Sequence, residues 1–91
     1  MKIEFDPAKN TLNQVKHGLS LAEALDFEWE TAQFTEDKRQ DYGEQRLIAT
    51  GFIADRLHVL CFTKRSGLLR VISLRKANKR EEKDYGQKII A

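Results

Sequence analysis

The chain has 91 residues, 41% hydrophobic and 33% charged, with a formal net charge of +2. That length suits one domain, residues 1–91, since two independent cores would each be too small, and the composition suits a globular domain and argues against disorder. The apolar runs are too short to span a bilayer, and a single cysteine, Cys61, excludes an internal disulfide and a cysteine-rich zinc site. The N-terminus, Met1-Lys2-Ile3-Glu4-Phe5, lacks the apolar core of a signal peptide, so a cytoplasmic location is expected.

Asp6-Pro7 reads as a helix start, an Asp cap with proline at the first helical position. Ala8, Leu12 and Val15 recur at helical spacing, and Gly18 after Lys16-His17 is a favourable stop. Ser20 with Glu23 is a capping box, predicting a second helix from about Leu21 to Phe27 that buries Leu21, Ala24 and Leu25. Thr31–Glu36 is a weak strand candidate, and Asp41-Tyr42-Gly43-Glu44 reads as a turn. Arg46–Ile53 is a strand with Gly51 as a bulge candidate, and Ala54-Asp55 is a tight turn. Leu57–Lys64, apolar on both faces, suits a central strand. Ser66-Gly67 turns the chain into a returning strand, Leu68–Arg75. Asn78 and Glu81 repeat the capping box, so a last helix starts near Lys79, short of apolar residues until Tyr85, Ile89 and Ile90. Gly86 inside it costs about 1 kcal/mol relative to Ala. The expectation is an α+β domain: a small antiparallel sheet of three or four strands, two N-terminal helices and a C-terminal helix.

Charge is uneven. Residues 64–91 carry nine Lys or Arg against three acids, whereas residues 23–44 carry eight acids against Lys38 and Arg39. Such asymmetry points to a basic surface and a polyanionic partner such as nucleic acid, with a solvated C-terminal helix as the plain alternative. Lys79 and Arg80 sit in a first helical turn, where the macrodipole disfavours cations and a docked anion supplies a reason for them.

His17 and His58 are the only histidines and lack metal-ligand spacing; no phosphate loop or nucleophile elbow is present. What remains is a set of basic and hydroxyl groups: Thr63, Arg65, Arg70, Ser73, Arg75, Lys76 and Tyr85. If Ser66-Gly67 is a two-residue loop, Arg65 pairs with Leu68 and Thr63 lies opposite Arg70, placing Arg65, Thr63 and Arg70 on one face and His58, Ser73 and Arg75 on the other. A three-residue loop shifts that register. Neither strand segment contains an acid, so a bound anion is the expected counter-charge. These groups suit metal-free cleavage of RNA, in which the 2′-hydroxyl attacks the adjacent phosphate and arginines stabilise the phosphorane. The general acid and base remain open among His, Lys, Tyr and Glu.

The chain resembles the BrnT toxins of bacterial type II toxin–antitoxin systems. The resemblance rests on Phe5-Asp6-Pro7-Ala8-Lys9, Asn13, Lys16-His17-Gly18-Leu19-Ser20, Asp41-Tyr42-Gly43-Glu44, Arg46, Gly51, Thr63, Arg65, Arg70-Val71-Ile72-Ser73-Leu74-Arg75-Lys76-Ala77, Lys79-Arg80-Glu81 and Tyr85. It implies a RelE-like fold and an RNA-cleaving toxin that inhibits translation. It also implies a BrnA-like antitoxin with a ribbon-helix-helix domain, promoter DNA being bound only through the toxin–antitoxin complex.

Arg65 and Arg70 lead as phosphate and transition-state binders, and Arg65→Ala and Arg70→Ala are each expected to relieve growth inhibition. Ser73 and Arg75 follow, Ser73 either positioning phosphate or satisfying a strand-end backbone group. His17 is an acid–base candidate or a helix-end cation. Lys9, Lys16, Lys76 and Arg80 are RNA-contact candidates or solvated charges. Glu81 is a cap or a base, and Tyr85 stacks on a base or packs on the sheet. Asp41, Tyr42 and Glu44 fit turn ordering, and Phe27, Trp29 and Phe34 fit core or partner contacts. The acidic stretch either repels unspecific nucleic acid or meets a basic antitoxin segment. No cofactor or metal is expected. The competing reading is a non-catalytic module that binds nucleic acid or the antitoxin.

Overall fold

The computed structural model describes residues 2–90, with side chains through Gln87. In chain order the elements are β1 (Ile3–Glu4), α1 (Pro7–His17), a 3₁₀ helix (Leu21–Asp26), β2 (Glu28–Glu36), β3 (Leu47–Ile53), β4 (Arg56–Arg65), β5 (Leu68–Lys76) and α2 (Lys79–Ile90). The strands form one sheet in the order β1-β5-β4-β3-β2. This corrects the expected antiparallel sheet of three or four strands: there are five, and β1 runs parallel to β5, pairing Ile3 with Leu69 and Glu4 with Arg70. Two residues are too few to show a period-2 pattern, so β1 carried no sequence signal.

Both N-terminal caps form as their sequences predict. The Asp6 side chain accepts from the Ala8 N–H at 2.8 Å, and Gly18 closes α1 in the left-handed region at φ 72°. Ser20 and Glu23 complete the capping box, yet the helix they open is 3₁₀ and ends at Asp26. Leu21 and Ala24 are buried as expected, whereas Leu25 is 67% exposed. The three-residue turn keeps Leu21, Ala24 and Phe27 in register and swings Leu25 outward.

The periodic apolar positions of α1 also point the wrong way: Leu12 is 67% and Val15 83% exposed. The helix turns a polar residue inward instead. Asn13 is buried, donating from Nδ2 to the Leu19 and Leu74 carbonyls at 2.9 and 2.8 Å and accepting the Leu74 N–H at 3.1 Å. Beyond β1, the outer edge of β5 thus finds its backbone partner in a side-chain amide, which the requirement to satisfy buried peptide groups explains.

On one side of the sheet, Ala49, Leu60, Phe62, Leu69, Val71 and Leu74 pack against Leu19, Leu21, Ala24 and Phe27. On the other, Leu57 and Val59 pack with Ala77 and Tyr85 under α2. β4 is therefore apolar on both faces and central, as predicted. Gly51 has a different reason from the one expected. The bulge lies on β2, between Glu28 and Gln33, and Gly51 sits opposite it. A Cβ at Gly51 would meet Phe27 Cζ at 2.8 Å and Thr31 Oγ1 at 2.9 Å, so glycine admits the bulged strand.

The predicted two-residue loop is present. Arg65 pairs with Leu68, Thr63 with Arg70, and Ser66 and Gly67 both have positive φ, 50° and 77°. A bulge then intervenes: Cys61 pairs with Ser73 but Phe62 with Val71, so Ile72 is the extra residue. The expected division of faces is thereby corrected. The bulge restores Ser73 and Arg75 to the side of Thr63, Arg65 and Arg70, and leaves His58 on the other side, buried and paired in register with Lys76. α2 continues through Gly86 to Ile90, and the side chains of Ile89 and Ile90 lie outside the described ones. Among the described residues no helix is long and apolar enough to cross a membrane.

Candidate active site

On the α2 side of the sheet lies a cavity of about 320 Å³ with walls from five elements. Lys16 and His17 come from the last turn of α1, Arg39 from the loop after β2, and Ile48, Val59 and Cys61 from β3 and β4. Ser73 and Arg75 come from β5, aimed inward by the Ile72 bulge. Three residues expected to do chemistry, His17, Ser73 and Arg75, therefore share one concave surface with Lys16, an RNA-contact candidate.

Arg75 is held in plane. Its Nη1 and Nη2 donate to the two Glu81 oxygens, each at 2.8 Å. Glu81 in turn closes the predicted capping box, accepting the Asn78 N–H at 2.9 Å while its own N–H donates to Asn78 Oδ1 at 2.8 Å. The ion pair raises the Arg75 pKa and holds the Glu81 carboxyl below its ordinary value. A guanidinium has five N–H donors, and the Arg75 Nε–H has no partner among the described residues, which leaves it available to an anion. Glu81 is thus a cap and a clamp on Arg75. Glu81 and Glu82 also supply negative charge in the first turn of α2, so Lys79 and Arg80 need no docked anion to offset the dipole there.

His17 lies beside Lys16 and Arg75, and its pKa is lowered, by burial first and then by those two cations. The ring is accordingly neutral at neutral pH and able to accept a proton. Cys61 is buried and its thiol pKa raised, chiefly by that burial, which makes it a poor nucleophile.

Arg39 enters from a loop that no motif marks as functional. Asp37, buried, accepts from Arg39 Nε and Nη2 at 2.8 Å each, from the Arg39 N–H at 3.2 Å and from the Tyr42 hydroxyl at 3.1 Å. These contacts, the guanidinium above all, hold the Asp37 carboxyl far below the usual carboxylate range. Arg46 lies over the Tyr42 ring at 3.9 Å, and Gly43 donates to Asp41, so the turn is ordered by the residues expected to order it.

Arg65 and Arg70 do not line this cavity. Arg65 Nη2 meets Glu44 Oε1 at 2.5 Å, and Arg70 Nη1 lies 3.3 Å from Glu4 Oε1. Both arginines therefore have a carboxylate counter-charge where a bound anion was expected: the acids come from the loop before β3 and from β1, outside the strand pair itself. Tyr85 is also reassigned. It is buried, edge-on to Phe52 at 5.6 Å, with its hydroxyl donating to the Thr31 carbonyl at 2.6 Å, so it packs on the sheet and has no free face for a base. Lys76 points to the opposite side of the sheet, Arg80 is exposed on α2, and Lys9 is half-buried on α1, with no carboxylate at ion-pair distance among the described residues.

The family profile for the ribonuclease toxin BrnT of type II toxin–antitoxin systems matches residues 5–81. The crystal structure of the Brucella abortus ribonuclease toxin BrnT is similar at a TM-score of 0.71 and 30% identity, over 87% of this chain and 99% of that one. No curated protein sequence matches the chain. Profile and structure agree with the motifs over most of the chain, and the chain belongs to the BrnT family of ribonuclease toxins, whose type II systems pair a toxin with a cognate antitoxin.

Proposed function

We propose that this chain is a metal-independent endoribonuclease that cleaves RNA by attack of the 2′-hydroxyl on the adjacent phosphodiester, inhibiting translation in the cytoplasm. The observation that carries the reading is the convergence of His17, Lys16, Ser73 and a clamped Arg75 on one open cavity. Neutral His17 takes the 2′-hydroxyl proton as the 2′-oxygen bonds to phosphorus. Arg75 and Arg39 bear the charge that builds on the non-bridging oxygens, and the Ser73 hydroxyl donates to one of them. The bond from phosphorus to the 5′-oxygen breaks, and that oxygen takes a proton from Lys16, an ammonium with no carboxylate partner among the described residues. The RNA supplies its own nucleophile, so a 2′,3′-cyclic phosphate and a 5′-hydroxyl result.

On this reading a BrnA-like ribbon-helix-helix antitoxin neutralises the toxin, and promoter DNA is bound only through their complex. Family membership supports the antitoxin, and the chain's basic C-terminal third, residues 64–91, fits RNA as substrate. The test is incubation of the purified chain with RNA in EDTA, with mapping of the product ends. Cleavage leaving cyclic or 3′-phosphate ends is expected. Strict dependence on Mg²⁺, or 3′-hydroxyl ends, overturns the mechanism, and salt-sensitive binding without product returns the chain to a binding module.

A further inference from the structure

The side of the sheet away from the cavity has an unfinished corner. α1 and the 3₁₀ helix pack over β5, leaving the β2–β3 end roofed only by its own aromatics. Trp29 and Phe34 stack at 6.2 Å with an interplanar angle of 10°, and Phe62 meets both edge-on. Beside them opens an apolar cavity of about 360 Å³, floored by Leu47 and Leu69 with Lys64 at its rim. Phe34 is 52% exposed, a large apolar surface that the fold does not use.

The surrounding charge selects what covers it. From Asp26 to Glu36 the chain carries four acids and no lysine or arginine. That run includes all of β2, which ends the sheet and pairs with β3 alone among the described residues. Acids on an edge strand discourage pairing with another copy, because two β2 edges side by side would set like charges against each other. They do not explain the half-exposed phenylalanine stacked beside an open pocket. A basic extended segment with an apolar anchor answers all three features: its backbone adds to the β2 edge, its cations meet the acids, and its anchor fills the pocket.

We propose that the β2 edge and the Trp29–Phe34 pocket are the docking site for a basic, extended segment of the cognate antitoxin, on the side of the sheet opposite the catalytic cavity. The proposal rests on the family reading that such a partner exists. The experiment titrates the toxin with a purified BrnA-like ribbon-helix-helix antitoxin at low and high salt, using wild type, Phe34→Ala and Glu30→Lys/Glu36→Lys. Each variant is expected to bind at least about tenfold more weakly, with RNA cleavage by the free toxin unchanged; Glu30 and Glu36 are exposed, so their reversal tests the site without disturbing the core. Wild-type binding is expected to weaken with salt. Leu12→Asp/Val15→Asp, on the exposed stripe of α1, is expected to bind as wild type. Undiminished binding by both β2 variants, or loss only in the α1 variant, overturns the docking site while leaving the partner in place. A wild-type toxin that binds no antitoxin overturns the partner as well.

Discussion

The two ends of the β4–β5 ribbon present arginines on the same side of the sheet and surround them differently. Near the hairpin tip, Arg65 meets Glu44 and Arg70 meets Glu4. Farther along β5, Arg75 also has a carboxylate, Glu81, so ion pairing does not separate the two ends. Company does. Arg75 shares a cavity with a neutral imidazole, a hydroxyl and an ammonium that has no carboxylate partner among the described residues, whereas the cavity that Arg65 lines holds neither histidine and Arg70 does not line it. An arginine on a small basic protein becomes a catalytic candidate through the groups that converge with it.

Activity gives the largest contrast. Arg75→Ala and His17→Ala are each expected to lower cleavage by about 10²–10⁴-fold, the usual range for losing an electrostatic or proton-transfer group. Arg65→Ala and Arg70→Ala are expected to stay within about tenfold, as charges that attract RNA from outside the cavity. Equal losses at the two ends, measured as kcat/KM on one RNA, break the distinction. The pH profile sharpens it. Because the folded His17 pKa lies below 6.5, the acid limb of kcat/KM is expected below pH 6.5, with the neutral, active form dominant above it. The same depression means that protonating His17 opposes folding, so its effect on stability appears only as pH falls below 6.5. Asp37, Glu44 and Glu81, all depressed, act in the same direction: the stability they contribute is present above the ordinary carboxylate range and is lost as acid protonates them. An acid limb at or above 6.5 removes His17 as the base.

Stability gives the next contrast. Asn13 anchors α1 to β5 one turn before His17 and beside Ser73 and Arg75, through three hydrogen bonds. Asn13→Ala leaves the Leu74 N–H and two carbonyls without that partner in a buried setting, a loss of about 2–4 kcal/mol. Denaturant unfolding checks the magnitude, and cleavage at a temperature where the variant is still folded is expected to fall as well, since α1 carries Lys16 and His17. No residue at the tip couples stability to activity in this way.

Local chemistry made much of this legible. Asp6-Pro7, Ser20 with Glu23, Asn78 with Glu81, and Ser66-Gly67 each act within three or four residues, and each forms as read. What failed was long-range. The apolar period of α1 was real, but the tertiary demand of the β5 edge selected Asn13 to face inward and left Leu12 and Val15 outside. The pairing of Thr63 with Arg70 followed from the loop, yet the Ile72 bulge, which no residue pattern announces, decided which side Ser73 and Arg75 take. The acids that meet Arg65 and Arg70 lie 21 residues before Arg65 and 66 before Arg70 in the chain, beyond any argument from strand composition. Arg39 entered the cavity through the Asp37–Tyr42 network, for which the sequence offers only an acidic neighbourhood. The BrnT motifs, by contrast, identified the family over residues 5–81 without any of that geometry.

The smallest expected effect tests whether the hairpin tip is purely structural. Ser66 holds φ 50° and Gly67 φ 77°, the pattern of a two-residue turn with both central residues left-handed. Serine pays for that conformation and asparagine tolerates it better, its short amide bonding to the local backbone. Ser66→Asn should therefore stabilise the fold by about 0.5–1 kcal/mol, read as a higher denaturant midpoint with unchanged m-value. Cleavage should remain within about twofold of wild type, because the substitution leaves the charge and register of Arg65 and Arg70 intact and does not reach the cavity of His17 and Arg75. A stabilised variant with markedly altered cleavage would place the tip inside the RNA-binding surface, and the two ends of the ribbon would then have to be treated as one site.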